Sequence, residues 1–312
     1  MNDANMTNIP MPPDVGPTTS GGIPASMRIR LALGPVMALV VVGVLLIDFK
    51  RDYPWFFGFL LATVSTLGLY EYYTMASKSG AEPWRNSALV FGFLLMFCQW
   101  YSLQFGDSQR FALDTAGLVL GVSVFVFYTL GVLYPESKKS PINITVTVFG
   151  LVYIPFLLSF YYKLYAVYAP IIFVILAGTK CTDIGAYFSG YFFGKRKLAP
   201  EISPNKTIEG ALGGWLAGFV IALILSLCVK LPWIEAGEGA GSFQVAVGWK
   251  KTFLICLFIP VIGQMGDLFE SLLKRRYKVK DSGDWFSSFG GVLDLIDSLI
   301  FTGLVVYLIL IL

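Results

Sequence analysis

The chain has 312 residues, of which 56% are hydrophobic, 16% aromatic and only 14% charged, and its formal net charge is +3. A soluble globular protein carries about 25% charged residues, so this composition excludes an ordinary soluble domain and points to an all-α integral membrane protein; the alternation of an outer-membrane barrel strand is absent. The small net charge argues against a nucleic-acid partner, and the absence of any histidine excludes His general bases, Ser-His pairs and His-ligated metals.

Residues 1–30 begin the chain as a polar stretch rich in Pro, Asn, Thr and Gly, which reads as a disordered cytoplasmic tail. The run "LALGPVMALVVVGVLLI" (31–47) is long for a signal-peptide core and no small-residue cleavage site follows, so it reads as an anchoring helix. A membrane-crossing helix needs about 20 apolar residues. Nine such spans are expected, at 31–47, 54–74, 87–105, 112–134, 142–161, 166–190, 209–229, 251–270 and 290–312. Residues 31–165 then form N-terminal scaffold and dimerisation helices, and 166–312 a C-terminal catalytic set. With the N-terminus in the cytoplasm, most of the 23 Lys and Arg fall on the cytoplasmic side, as the positive-inside rule requires. Cys98, Cys181, Cys228 and Cys256 stand singly, with no metal spacing, and read as small apolar residues.

Two cytoplasmic loops, 191–208 and 271–289, adjoin acids placed inside apolar runs. Ionisable groups in a bilayer are costly and usually functional. Asp267, Glu270, Ser271 and Lys274 fall at i, i+3, i+4 and i+7, on one helical face. Asp294 and Asp297 are three apart and follow Gly290 and Gly291, which let a backbone or a phosphate approach closely; a helix starting there aims free N–H groups at an anion. Carboxylates with hydroxyls suit Mg²⁺, which keeps places for water and phosphates. The competing reading is that Asp267–Lys274 and Asp294–Arg276 are ion pairs tying helices together.

The second block is "KCTDIGAYFSGYFFGKRKLAPEISPNKTIEG" (180–210). Asp183 and Tyr187 share a helix face. Gly190 with Gly194, and Gly210, Gly214 and Gly218, read as close helix packing. "SPNK" reads as a helix start with Ser203 as N-cap and Pro204 in the first turn, placing Lys206 where a bound anion would suit it. Thr207 and Glu209 are then placed to orient that lysine.

These blocks resemble the phosphatidate cytidylyltransferases, the CDP-diacylglycerol synthases. That family's signature runs S-x-x-K-R-x4-K-D, a short gap, then G-H-G-G-x-x-D-R-x-D; here "SLLKRRYKVKD" supplies Ser271, Lys274, Arg275, Lys280 and Asp281. "DIGAYFSGYFFGK…SPNKTIEG" resembles the family's other block. Two positions depart: Phe289 stands where the signature has His, and Leu295 where it has Arg. The resemblance implies transfer of a cytidylyl group from CTP to phosphatidic acid in phospholipid synthesis, by a homodimer in the inner membrane with its site facing the cytoplasm. It implies Mg²⁺, as two divalent ions or one with a monovalent ion, on Asp267 and Asp294, with Asp183 as a further ligand or as the group holding Lys206. Glu270 and Asp297 orient those ligands, and Tyr187 accompanies Asp183. Lys206, Lys274, Arg275 and Lys280 neutralise the phosphates, with Asp281 beside them. Ser203, Thr207, Glu209, Ser271, Arg276, Gly290 and Gly291 line the substrate, and Arg276 is placed to compensate for the arginine lost at Leu295. The alternatives are a paralogue that binds lipid phosphate or nucleotide without turnover, and, more remotely, an ion-coupled transporter, whose acids would spread along a path.

Overall fold

In lipid, the N–H and C=O groups of a long apolar run find partners only within a helix or a closed barrel, and this chain forms helices. The computed structural model describes residues 40–48, 54–105, 109–133, 141–228, 247–283 and 290–312. The helices are α1 (40–48), α2 (Trp55–Lys78), α3 (Arg85–Phe105), α4 (Gln109–Leu133), α5 (Pro141–Leu151), α6 (Phe160–Tyr168), α7 (Ile171–Phe193), α8 (Ile208–Cys228), α9 (Trp249–Arg276) and α10 (Val292–Ile311).

Among the described residues seven helical stretches are long and apolar enough to cross a bilayer: α3, Thr115–Leu133 of α4, Pro141–Tyr168, α7, α8, α9 and α10. The protein is a multi-pass membrane protein. Nine spans are expected from the sequence. The first of them is described only from residue 40 onward, and α2 falls outside the seven because Thr, Ser, Tyr and the acid Glu71 dilute its apolar residues. The fifth expected span extends further than its sequence suggests, because α5 and α6 continue through a π-helical turn, Val152–Phe156, containing Pro155. Proline removes one helical donor and crowds the preceding turn, which the wider π turn accommodates.

That turn carries Tyr153 into an aromatic core between α9 and α10, with ring centroids 5.3 Å from Phe269 and 5.8 Å from Phe301. Asp48 accepts the Phe57 N–H at 2.5 Å and so caps α2. Helix α8 lies backbone to backbone on α7. A Cβ added at Gly214 would sit 2.6 Å from the Thr182 carbonyl oxygen, and one at Gly210 2.9 Å from that of Ala186. Only small residues permit such an approach.

Between α7 and α8 the chain forms the only strands among the described residues, an antiparallel pair. β1 is Lys197–Ala199 and β2 is Ser203–Thr207, with Lys197 opposite Thr207 and Ala199 opposite Ser203. This corrects the expected helix start at Ser203. Pro204 has no N–H to give and is tolerated in an edge strand, and the Arg196 carbonyl accepts the Ile208 N–H at 2.9 Å, extending the pairing. The helix cap is Thr207, whose Oγ1 accepts the Gly210 N–H at 3.1 Å.

Candidate active site

Helices α9 and α10 pack against each other, and glycine decides how closely. A Cβ added at Gly266 would lie 3.2 Å from the Asp297 carbonyl carbon and 3.3 Å from Ser298 Cα. The bare Gly266 backbone therefore lets α10 bring Asp297 beside the acidic face of α9. Carboxylate oxygens of Asp267, Glu270 and Asp297 all lie within 4.8 Å of one another. Glu270 is fully buried and Asp297 is 7% exposed, while Asp267 opens to the surface side of the cluster.

Three lysines stand among the acids. Lys206, at the end of β2, forms an ion pair and hydrogen bond with Asp267. Lys274 Nζ is 2.7 Å from Glu270 Oε2 and 2.6 Å from Asp294 Oδ1. Lys180, on α7, is 3.6 Å from Asp183 and donates to the Leu295 carbonyl at 3.3 Å. Neither ion pair of the competing reading forms: Asp267 takes Lys206 rather than Lys274, and Asp294 takes Lys274 rather than Arg276.

Asp294 is fully engaged. Besides Lys274 on Oδ1, its Oδ2 accepts the Gly291 N–H at 2.7 Å and the Ser282 hydroxyl at 2.8 Å. Helix α10 begins at Val292, but its first N–H groups do not face an open anion site. The Val292 and Leu293 N–H groups donate to the two oxygens of Glu71, at 2.9 and 2.8 Å. Gly290, at φ +87°, makes room for Asp294, whose Cγ would lie 3.0 Å from an added Cβ. Gly291 makes room for Glu71, whose Cδ would lie 2.7 Å from one. The glycine pair thus admits two carboxylates of this chain at the place where the sequence reading expects a phosphate.

A cavity of about 530 Å³ joins the two sequence blocks, and Asp183, Tyr187, Asn205, Lys206, Thr207 and Asp267 all line it. Gly210 and Gln264 form part of its wall. Other expected residues lie apart from it. Glu209 accepts the Lys195 and Arg196 N–H groups at 3.0 and 3.1 Å and so holds the start of the hairpin. Arg275 Nε donates to the Ile202 carbonyl at 3.2 Å. Ser203 is paired within β2, Ser271 is half-buried on α9, and Arg276, Lys280 and Asp281 are exposed. Phe289 lies outside the described residues.

The donor set suits a hard divalent cation. Five carboxylates (Asp183, Asp267, Glu270, Asp294 and Asp297) face three ammonium groups. Glu270 Oε1 is buried with no hydrogen-bond donor, and so is the Tyr153 hydroxyl, which lies within electrostatic reach of Glu270 and Asp297. Buried carboxylate oxygens without a donor are expensive in a low-dielectric site, and Mg²⁺ takes oxygen ligands of this type. Asp267, Glu270 and Asp297 would hold it, while Asp294, the ligand expected from the resemblance, is engaged by protein donors.

Sequence reasoning passed over Glu71, Ser282 and Tyr153. Glu71 carried a legible signal, since it is the single acid in the span expected at 54–74.

A model of the cytidylyltransferase family matches residues 28–312. Among similar proteins, the phosphatidate cytidylyltransferase of Bacillus subtilis (strain 168) is 48% identical over 120 residues, covering 38% of this chain and 39% of that protein. That of Thermotoga maritima is 33% identical over 191 residues, 59% of this chain and 67% of that protein. That of Chlamydia pneumoniae is 28% identical over 291 residues, 88% of this chain and 90% of that protein. The match spans about two fifths of the Bacillus subtilis protein but nine tenths of the Chlamydia pneumoniae one, and with the family model running through all the described helices the chain belongs to the cytidylyltransferase family.

Proposed function

We propose that this protein transfers the cytidylyl group of CTP to phosphatidic acid, forming CDP-diacylglycerol and pyrophosphate. A phosphate oxygen of the lipid attacks the α-phosphorus of CTP, and the bond from that phosphorus to the oxygen leading to the β-phosphate breaks. The attacking oxygen is already ionised near neutral pH, so no side chain has to remove a proton, and a chain without histidine can support the step.

The observation that carries the reading is the meeting of Lys206 and Asp267 in the wall of one cavity, with Glu270 and Asp297 clustered behind Asp267. Lys206 neutralises a phosphate, and Asn205 and Thr207 flank it. Lys274 holds Glu270 and Asp294 in fixed positions from between them. Asp267, Glu270 and Asp297 would hold Mg²⁺, alone or with a second ion near Asp183, and the metal would supply positive charge to the phosphate oxygens. Charge neutralisation and in-line positioning are what such a transfer requires.

Leu295 removes a cation that the family signature carries, which motivates the reading of a paralogue without turnover. Lys180 favours turnover instead, because its ammonium reaches across from α7 to the Leu295 carbonyl. We place the site at the cytoplasmic face of the inner membrane, since Lys195, Arg196 and Lys197 lead into the hairpin that carries Lys206, and Arg275 and Arg276 end α9. A homodimer through glycine- and aromatic-rich helix faces completes the proposal. Purified protein supplied with CTP, phosphatidic acid and Mg²⁺ is expected to release pyrophosphate in step with CDP-diacylglycerol. Absence of both products across a panel of lipid phosphates would leave only the binding reading.

A further inference from the structure

Glu71 sits on α2, in the N-terminal half of the chain, yet its carboxylate is spent 221 residues away. Oε1 accepts the Val292 N–H at 2.9 Å, Oε2 accepts the Leu293 N–H at 2.8 Å, and the Ser282 hydroxyl lies 3.3 Å from Oε2. The residue is only 2% exposed. A carboxylate across the first turn of a helix satisfies donors that the helix cannot and meets the positive end of its dipole. Ser282 joins this contact to the site, because the same hydroxyl reaches Asp294 at 2.8 Å. Two glycines keep the space free. A Cβ added at Gly283 would fall 2.8 Å from Glu71 Cδ, and one at Gly291 2.7 Å from it.

We infer that Glu71 is a positioning residue for the cation site: it fixes the rotation and height of α10, and through them the placement of Asp297 against Asp267 and Glu270. The α10 backbone is held at both ends of this segment, with the Lys180 ammonium on the Leu295 carbonyl between them. Gly266 of α9 abuts Asp297 and Ser298, and Glu71 of α2 holds Val292 and Leu293. Losing the second leaves the first turn of α10 without its acceptor, and the acids it carries lose their register. The inference rests on reading Asp267, Glu270 and Asp297 as ligands of Mg²⁺.

The test is the Mg²⁺ concentration giving half-maximal thermal stabilisation of the full-length protein in detergent without substrates, measured beside the unfolding temperature in chelator. Glu71→Gln is expected to raise that concentration about tenfold or more, the range typical of groups that orient metal ligands. Should Glu71→Gln fail to fold, Gly283→Ala displaces the same carboxylate from a half-buried loop and is expected to act likewise. A lower unfolding temperature in chelator with an unchanged Mg²⁺ midpoint would make Glu71 merely structural and overturn the inference. A wild-type protein that Mg²⁺ does not stabilise overturns it too, by removing the cation site; cytidylyl transfer under those conditions would show that the proposed function stands without it.

Discussion

Lys274 and Asp294 are joined at 2.6 Å between α9 and α10, and the same ammonium lies 2.7 Å from buried Glu270. One cation therefore serves two carboxylates that arrive from different helices. Removing one partner of a buried ion pair strands the other and costs about 3–5 kcal/mol. Lys274→Met is expected to lower stability by that amount and to abolish cytidylyl transfer, as read by thermal unfolding and pyrophosphate release. Retention of wild-type stability would show that the pair is solvated in the membrane.

Asp297 and Asp294 are one turn apart on α10, but only Asp297 belongs to the three-acid cluster. Asp297→Asn is expected to reduce Mg²⁺-dependent stabilisation and turnover by about a hundredfold or more, and Asp267→Asn likewise. Asp294→Asn keeps an oxygen for the Ser282 and Gly291 donors, so the Mg²⁺ midpoint is expected to move less than in either of the other two variants. The reverse ranking would return the primary ligand role to Asp294.

Lys180 approaches the backbone of Leu295 from α7. A charge-assisted hydrogen bond to substrate is worth about 1.5–3 kcal/mol, roughly tenfold to a hundredfold in rate. Lys180→Met is expected to lower kcat/KM for CTP within that range, and adding Leu295→Arg is expected to recover part of it. No recovery would separate the two positions functionally.

Gly266 is the contact that lets α10 approach α9. Gly266→Ala forces the Asp297 segment away, and overpacking of this kind costs about 1–3 kcal/mol. The expected result is a lower unfolding temperature together with weaker Mg²⁺ stabilisation. An Ala variant with wild-type values on both measures would show that the helices part without disturbing the acids.

Hydrophobic length and charge bias made the helical membrane class readable, and the i, i+3, i+4, i+7 spacing put Asp267, Glu270 and Lys274 on one face of α9, as observed. Which acid meets which base was not readable, because it depends on where helices cross. Gly266 sets that crossing, and a glycine is equally compatible with lipid, loop or contact. The hairpin at 197–207 escaped because "SPNK" satisfies a helix-cap pattern as well as an edge strand, and only the partner strand distinguishes them. Glu71 was visible as an acid in an apolar run, but its target lies more than 200 residues downstream, beyond any local pattern.

The glycine seam between α7 and α8 has a consequence for selectivity. Where Gly210 and Gly214 meet the carbonyls of Ala186 and Thr182, there are no rotamers to change. Ala186 and Gly210 belong to the wall of the cavity, so that part of the wall moves only with the main chain of α7 and α8. In the proposed reaction a bulkier guest would be accommodated by Tyr187 and Tyr191, farther along α7, which line the cavity and project with 58% and 74% of their surface free.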